Sequence, residues 1–294
     1  MTSHFCTSNR RQLLKTLALS APGMTIAMNA AMAGIETPQK NQRNLGRELS
    51  SVDTENAYRR LLDLRYGSRG KVTYWWLQGR RYASIDNALI PLFDIWVGFA
   101  YRRSALNAES EQIQARSRVL YTELGSHELL QSWLNPISGR RVEFNYADPV
   151  TQTQRYLIDR GLVRETLFEN TTQERVDTIT GLRQLRERVF IDEEAQVRIF
   201  DRHNRDRPPR KVHDRYMWSG RSVAQEKDQT IFADAEVSFM DVTDWSPRLG
   251  MGEVVGCAIA HCSGRRTVTL DEFPDAWHSL HTRHQLGSLG FDEP

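Results

Sequence analysis

Hydrophobic and polar residues alternate with a period of two through most of this chain, in segments separated by turn residues. Such alternation is typical of strands that bury one face and expose the other. The connections between the segments are short, which favours antiparallel strands joined in a meander, and residues 170–180 form a polar connection. The predicted strands are residues 72–78, 81–85, 92–102, 115–123, 129–134, 141–146, 156–168, 187–200, 213–223, 231–240 and 254–262.

Helical spacing of apolar residues occurs at both ends of this β-rich region. Residues 53–65 predict a short amphipathic helix, which Gly67 follows. Residues 271–285 predict a closing helix with Pro274 in its first turn. The asparagine, proline and glycine of residues 135–139 predict a tight turn that closes a hairpin.

These elements favour a mainly β fold, an antiparallel barrel-like sheet of the lipocalin or calycin kind with an N-terminal and a C-terminal helix. Closure is favoured because it removes exposed strand edges. A β-sandwich is the alternative. Because a barrel of eight or more strands can hold a small ligand, the fold directs attention to side chains on the inner face.

An uncharged, weakly apolar run over residues 16–32 follows Arg10 and Arg11 and ends in small residues at Ala33. This arrangement looks like a twin-arginine signal peptide over residues 1–33, and general secretion is the alternative. Pro22 and several polar residues make the run too weakly apolar for a stable membrane anchor. We therefore expect recognition by the twin-arginine export machinery and a periplasmic mature protein.

The rest of the chain is expected to form a polar linker over residues 34–51 and a single β-rich domain over residues 52–294. The 294 residues include 39 Lys and Arg against 37 Asp and Glu. The basic residues of the leader have no acidic counterpart there, so the mature chain has no excess of positive charge. Nucleic acid is excluded as a main partner, because its binding depends on clustered positive charge.

Two cysteines remain after removal of the leader, Cys257 and Cys262. They lie five residues apart in a predicted strand, so their side chains point to opposite faces and are too far apart for a disulfide. Two free thiols are expected.

Four ionisable residues on predicted strands are candidates for acid–base chemistry. Asp94 would be a buried acid if its strand face lines the interior, and a solvated surface group otherwise. Tyr121 and Glu123 share a face and could move a proton. His261 is expected to be partly enclosed and could act as a general base. Structural roles are the alternative for each of them.

Aromatic residues on two of the predicted strands suit a flat apolar ligand, although core packing explains them equally. The candidate ligand-binding residues from this pattern are Tyr74, Trp76 and Trp96. No sequence motif for a nucleotide, a serine nucleophile or a zinc protease occurs, so no cofactor and no metal are expected. A metal site built on His261 or on the helical His278, His281 and His284 is the alternative.

Several of these residues together resemble the bacterial domain-of-unknown-function family 1838. The resemblance covers the Tyr-Trp-Trp of residues 74–76, residues 91–93, residues 133–139 and residues 244–252. It implies the same fold and export route, but it transfers no catalytic residue. It also implies that Trp133, Asn135 and Trp245 should be mutated first, and we count them among the candidate ligand-binding residues.

The pattern as a whole predicts an exported barrel-like protein that binds a small apolar or aromatic molecule. The leading hypothesis is a cofactor-independent enzyme of the lyase, isomerase or hydratase kind that moves protons with residues of its cavity. A non-catalytic periplasmic carrier is the first alternative, and a metal-dependent enzyme is the second. The substrate and the oligomeric state stay open.

Overall fold

The structure, a computed structural model, describes residues 51–146, 149–158, 162–167, 171–201, 209–226, 229–246 and 249–291. All of these residues lie in one compact unit, Glu48–Pro294. The predicted leader over residues 1–33 lies outside the described residues, as does the predicted linker up to residue 50.

The described residues contain two α-helices, a short 3-10 helix and twelve strands. The helices are α1 (Ser51–Tyr66) and α2 (Asp275–Arg283), and the 3-10 helix is Leu270–Glu272. The strands are β1 (Val72–Ile85), β2 (Ala88–Asn107), β3 (Ser110–Thr122), β4 (Ser132–Leu134), β5 (Arg141–Glu143), β6 (Val150–Leu157), β7 (Leu162–Leu167), β8 (Thr171–Leu185), β9 (Arg188–Asp201), β10 (Arg210–Glu226), β11 (Gln229–Thr243) and β12 (Cys257–Thr267).

Ten of these strands form a single antiparallel barrel. The hydrogen-bonded order is β1-β12-β11-β10-β9-β8-β7-β6-β3-β2, and β2 pairs with β1 to close the ring. The two remaining strands, β4 and β5, form a separate hairpin in the connection between β3 and β6. The predicted barrel-like fold with a helix at each end of the domain is confirmed, and the alternative sandwich is wrong because the ladder of strands has no break.

Several strands are longer than the alternation of residue types predicts. Residues 72–85 form one strand, and Gly79 lies inside it. A Cβ atom at residue 79 would be only 2.0 Å from the carbonyl oxygen of His261 on β12. Glycine is needed at this crossing for close approach of two backbones. The polar connection predicted at residues 170–180 is instead part of β8, and the strand predicted at residues 156–168 is the β6–β7 hairpin.

Helix α1 lies inside one end of the barrel, which we call the helix end. Its last six residues, 61–66, are all buried, as expected of a helix end enclosed by other elements. Arg103 on β2 donates to Asp63 of α1 and to Glu111 on β3, and all three side chains are buried. Arg266 on β12 donates to the backbone oxygens of Asp63 and Leu64 in the last turn of the helix.

The opposite end of the barrel, which we call the hairpin end, is partly covered by β4–β5. Trp133 of β4 packs edge-on against Phe93, an inward-facing residue of β2, with ring centroids 5.2 Å apart. Asn135 closes the hairpin, and its side-chain oxygen accepts hydrogen bonds from the backbone N–H groups of Ile137 and Ser138. The predicted turn is confirmed at this position.

Helix α2 packs on the outside of the barrel, where it covers the outer faces of β1 to β3. Trp277 and Leu280 of α2 form a second apolar cluster with Trp96, Ala100 and other residues of this outer face. The C-terminal segment therefore contributes to a core of its own, separate from the barrel interior.

Candidate functional site

Asp94 and His261, two of the four candidate acid–base residues, face away from the barrel interior. Asp94 forms an ion pair with Arg80, at 2.6 Å between Nε and Oδ1, and accepts a hydrogen bond from the backbone of Gly125. His261 is exposed on the outer face of β12, because the inner face carries the small residues Ala258 and Ala260. The prediction of an enclosed histidine is wrong, since the more apolar-looking face of β12 is the outer one.

Tyr121 and Glu123 do not form the expected pair on one strand face. β3 ends at Thr122, so Glu123 lies beyond the strand and is exposed. Tyr121 does face inward, but it packs at the hairpin end against Phe93 and Phe144, with ring centroids 4.8 and 4.7 Å away. Its surroundings are those of a core aromatic residue.

Tyr74, Trp76 and Trp96, predicted to bind a ligand, lie on the outer faces of β1 and β2. All three pack in the cluster beneath α2 and the residues that follow it. The residue of the Tyr-Trp-Trp run that faces the interior is Trp75, whose indole N–H donates to the backbone oxygen of Arg65 at 2.7 Å. Nothing in the sequence of β1 or β2 indicates that α2 covers their outer faces, so the apolar character of a face does not reveal which one is inside.

The three residues that the family resemblance singled out lie at the hairpin end. Asn135 is fully buried and donates from Nδ2 to the backbone oxygen of Leu249 at 2.7 Å. Trp245 donates from Nε1 to the backbone oxygen of Val254 at 2.7 Å. With Trp133, these side chains attach the β4–β5 hairpin and residues 249–254 to the barrel.

The middle of the barrel interior, which we call the lumen, contains inward-facing side chains that are not fully buried. Val119 of β3 faces inward by its pairing with Val97, yet 38% of its surface is exposed. Phe99, Gln152 and Phe239 also face inward and are half-buried. The exposed surface of these side chains shows that the interior is not completely filled.

The last turn of α1 forms the floor of the lumen. The Arg65 guanidinium lies over the rings of Tyr66, Tyr216 and Trp218, at 5.1 to 5.3 Å from their centroids. Tyr66 in turn packs edge-on against Tyr101 of β2, with ring centroids 4.9 Å apart. These contacts connect β10 to β2 across the barrel.

Several ionisable side chains of β8 and β10 face the interior. Asp214 accepts hydrogen bonds at Oδ2 from the hydroxyl of Tyr216, at 3.0 Å, and from Nη1 of Arg175, at 3.2 Å. Burial raises the pKa of Asp214 to about 6 and the pKa of Tyr216 well above its ordinary value. Near neutral pH Asp214 can accept or give a proton, whereas Tyr216 stays a hydrogen-bond donor.

A second carboxylate, Asp241 of β11, faces the lumen next to Asp214, with which it is paired across the strands. It accepts from Nη1 of Arg81 at 2.6 Å and from the backbone N–H of Ala260 at 2.8 Å. Asp241 thus has a guanidinium and a backbone N–H group as partners at the same oxygen, Oδ1. Asp214 and Asp241 are therefore neighbouring carboxyl groups with different hydrogen-bond partners. Such a difference in surroundings allows two adjacent acids to have different chemical roles.

The chemistry of the lumen was missed in the sequence for a physical reason. Arg175 and Asp177 of β8 face inward, where they are buried together with Glu193 of β9. A strand with a polar inner face has the pattern of a solvated connection when only its sequence is considered. The available signal was the alternation in β10, where Asp214 and Tyr216 share a face with Trp218.

Metal-ligand geometry is absent among the residues that the structure describes, since no group of three His, Cys, Asp or Glu side chains is arranged to hold an ion. His278 and His281 lie in α2 and His284 is the C-terminal cap of this helix, on the outside of the barrel. Within the same described ranges, no helix is long and apolar enough to cross a membrane.

Cys257 and Cys262 are free thiols on opposite faces of β12.

Comparisons with known proteins add little to this picture. No family model and no curated protein matches the chain, so the resemblance to family 1838 stays a prediction. One solved structure, the crystal structure of Rv2717c from M. tuberculosis, aligns over 65% of this chain and 90% of its own, with 10% identity and a TM-score of 0.30.

Proposed function

We propose that the protein binds a small, flat and largely apolar molecule in the lumen, and that Asp214 transfers a proton to or from that molecule. The observation that carries this proposal is the inward-facing Val119, which is 38% exposed inside a barrel whose other end is closed by a helix. Aromatic side chains on the lumen walls, among them Phe99 and Phe239, would contact the faces of such a molecule.

The proposed acid–base chemistry rests on Asp214 and its two neighbours. With its pKa raised by burial to about 6, Asp214 is close to the value that serves a general base or acid near neutral pH. Tyr216 donates a hydrogen bond to this carboxylate, and Arg175 stabilises its charge. This chemistry corresponds to a lyase, isomerase or hydratase that needs no cofactor, the reaction classes that the sequence predicts.

A non-catalytic carrier is the second candidate, and one specific observation favours it. The buried charges around Arg175 are paired with one another: its guanidinium contacts Asp177, Glu193 and Asp214. Groups that are neutralised within the protein can serve structure alone. A carrier would keep its affinity for the ligand when Asp214 loses its ability to ionise, and it would convert nothing.

Binding in the lumen is tested with an aromatic fluorescent dye, 8-anilinonaphthalene-1-sulfonate, added to the folded protein. We expect Val119→Trp, which fills the lumen, to weaken dye binding at least tenfold. The matched control is Val176→Trp, because Val176 has a similar exposed fraction, 46%, but lies on the outer face of β8. Equal binding by both variants and the wild type would place the dye outside the lumen and contradict the proposal.

Catalysis is tested on whatever small molecule co-purifies with the protein, identified by native mass spectrometry. Incubation in deuterated water should label a carbon of that molecule only when the protein is present. Asp214→Asn keeps the shape of the side chain and should lower the labelling rate by a factor of about 100 to 10,000 while binding persists. Persistence of binding without any labelling by the wild type would support the carrier instead.

Export to the periplasm is part of the proposal and rests on the leader-like residues 1–33 alone. Mass determination of the mature N-terminus, after expression in a bacterium with an intact twin-arginine system, should find cleavage near Ala33. Replacing Arg10 and Arg11 together by lysine should leave the precursor uncleaved in the cytoplasm. Continued cleavage in that variant would favour general secretion.

A further inference from the structure

Two acidic side chains, Asp177 of β8 and Glu193 of β9, lie together beneath the floor of the lumen, where α1 meets the barrel wall. Each has only 1% of its surface exposed. The guanidinium of Arg175 contacts both, with Nε 2.5 Å from Asp177 Oδ1 and Nη2 3.0 Å from Glu193 Oε1. One positive group therefore bridges two carboxyl groups in a site without water-exposed surface.

The hydrogen bonds of the two carboxyl groups are unequal. Glu193 accepts from Arg65 Nη1 at 3.1 Å, from Arg175, and from the indole N–H of Trp218 at 2.6 Å. Asp177 accepts from Arg175 at Oδ1, but its other oxygen, Oδ2, is buried without a donor. The side chains of Asp177 and Glu193 are themselves within hydrogen-bond reach of each other.

Two ionised carboxylates cannot hydrogen-bond to each other, because both are acceptors only. A proton on Asp177 Oδ2 removes this conflict, since the oxygen then becomes a donor to Glu193. Burial raises the pKa of Asp177 to about 7. Burial acts in the same direction on Glu193, but Arg65 and Arg175 outweigh it and bring the pKa of Glu193 below its ordinary value.

The balance of charge in this cluster agrees with one bound proton. Two guanidinium groups, Arg65 and Arg175, face three carboxyl groups when Asp214 is counted with the pair. The titratable and charged groups around Asp177 come from every neighbouring element. They are Tyr58, Arg65 and Tyr66 of α1, Tyr156 of β6, Arg175 of β8, Glu193 of β9, and Asp214 and Tyr216 of β10.

The same cluster fastens α1 inside the barrel. Arg65 of the helix is paired with Glu193, and the Tyr58 hydroxyl donates to the backbone oxygen of Asp177 at 2.8 Å. Ionised Asp177 would leave Oδ2 charged and without a donor, a large cost in a dry site. Only 1% of the surface of Asp177 is exposed, so hydration of this oxygen requires the elements around it, α1 among them, to move.

We propose that one proton shared by Asp177 and Glu193 acts as a latch that holds α1 in the helix end of the barrel. With the proton bound, the pair is satisfied internally and the helix stays in place. When the proton leaves Asp177 Oδ2 for water, the carboxylate requires hydration and α1 opens. No covalent bond other than this O–H bond changes, and the contacts of Arg65 with Glu193 and of Tyr58 with Asp177 break as the helix opens.

The test is hydrogen–deuterium exchange of the backbone amides of α1 in the wild type between pH 5 and pH 8. After correction with unstructured peptides, the opening equilibrium of α1 should rise by up to about tenfold per pH unit below pH 7 and level off above it, because opening releases one proton. The amides of α2, on the outside of the barrel, serve as the internal reference. A flat response of α1 would overturn the proposal.

Variants in which aspartate is replaced by asparagine test which carboxyl group holds the proton. Asp177→Asn carries an amide that donates to Glu193 at every pH, so the response of α1 should become flat. The control Asp192→Asn, on the outer face of β9, should respond like the wild type. A response that persists in Asp177→Asn and vanishes in Asp214→Asn would overturn the proposal. Should Asp177→Asn fail to fold, the infrared band of a protonated carboxyl group is followed in Asp214→Asn, which removes the contribution of Asp214. A band should remain at pH 5 and disappear as the pH rises past 7, and its absence at pH 5 contradicts the latch.

Discussion

Trp277 of α2 lies directly on Gly98 of β2, so closely that a Cβ atom at residue 98 would be 2.6 Å from the indole carbons Cη2 and Cζ2. The C-terminal helix is thus attached to the outside of the barrel where the sheet has no side chain. A rigid indole has little freedom to move away from an added methyl group.

Gly98→Ala should therefore lower the free energy of unfolding by about 1 to 3 kcal/mol, because overpacking displaces α2. Chemical denaturation followed by tryptophan fluorescence measures the change. Gly290→Ala is the control, since a Cβ there meets its nearest neighbour at an ordinary 3.5 Å. Equal stability of Gly98→Ala and the wild type would show that α2 is not seated on the glycine.

The side-chain amide of Asn135 is predicted to stabilise the hairpin end, because its nitrogen donates one backbone hydrogen bond and its oxygen accepts two. Asn135→Ala removes the bonds to Leu249, Ile137 and Ser138 from a fully buried site and should cost about 3 kcal/mol. Asn135→Asp keeps the two turn bonds and loses the donor to Leu249. Thermal unfolding should rank wild type above both variants, and an unchanged melting temperature in Asn135→Ala would contradict this role.

Arg103 is predicted to be the main electrostatic attachment between α1 and the barrel. Arg103→Met leaves Asp63 and Glu111 buried without this guanidinium, and loss of one partner in such a cluster costs about 3 to 5 kcal/mol. Arg183→Met breaks the exposed pair with Asp192 and should cost about 0 to 1 kcal/mol. Similar losses from the two variants would argue against a special role for the buried cluster.

The stability of the protein is predicted to depend on pH through Asp214. Its pKa is 3.8 in an ordinary setting and about 6 in the folded protein, where burial raises it. Between pH 4 and pH 6 the unfolded chain has released this proton and the folded protein has not, so rising pH favours unfolding by up to about 3 kcal/mol.

Asp214→Asn should abolish this contribution, because the amide does not titrate. Urea unfolding at pH 4 and pH 6.5 measures the effect as a difference between variant and wild type, in which the other titrating groups cancel. If the difference in the free energy of unfolding is the same at both pH values, Asp214 ionises normally in the folded protein, and its proposed role as the acid–base group loses its basis.

The barrel was predictable from the sequence because it depends on short-range signals. Alternation along β2, β9 and β11, the turn at Asn135 and the helical spacing in α1 each report local structure that the fold retains. The strand β8 was missed because its inner face is charged, and alternation of polarity cannot reveal a strand that is polar on both sides.

The site was less predictable because strand faces are chosen by distant residues. Trp76 and Trp96 are outside because α2 returns to cover them, and nothing in β1 or β2 records this. His261 is outside because Ala258 and Ala260 take the inner positions of β12. A shift of one residue exchanges the two faces, so a prediction of correct strands gives no assurance of the correct face.

Nuclear magnetic resonance of the valine methyl groups, during titration with the dye, tests the proposed lumen site most directly. Val119 faces the lumen, whereas Val176 and Val223 are exposed elsewhere on the barrel. The account predicts that the methyl signals of Val119 shift in proportion to the bound fraction while those of Val176 and Val223 stay in place. Shifts at Val176 or Val223 with none at Val119 would contradict it.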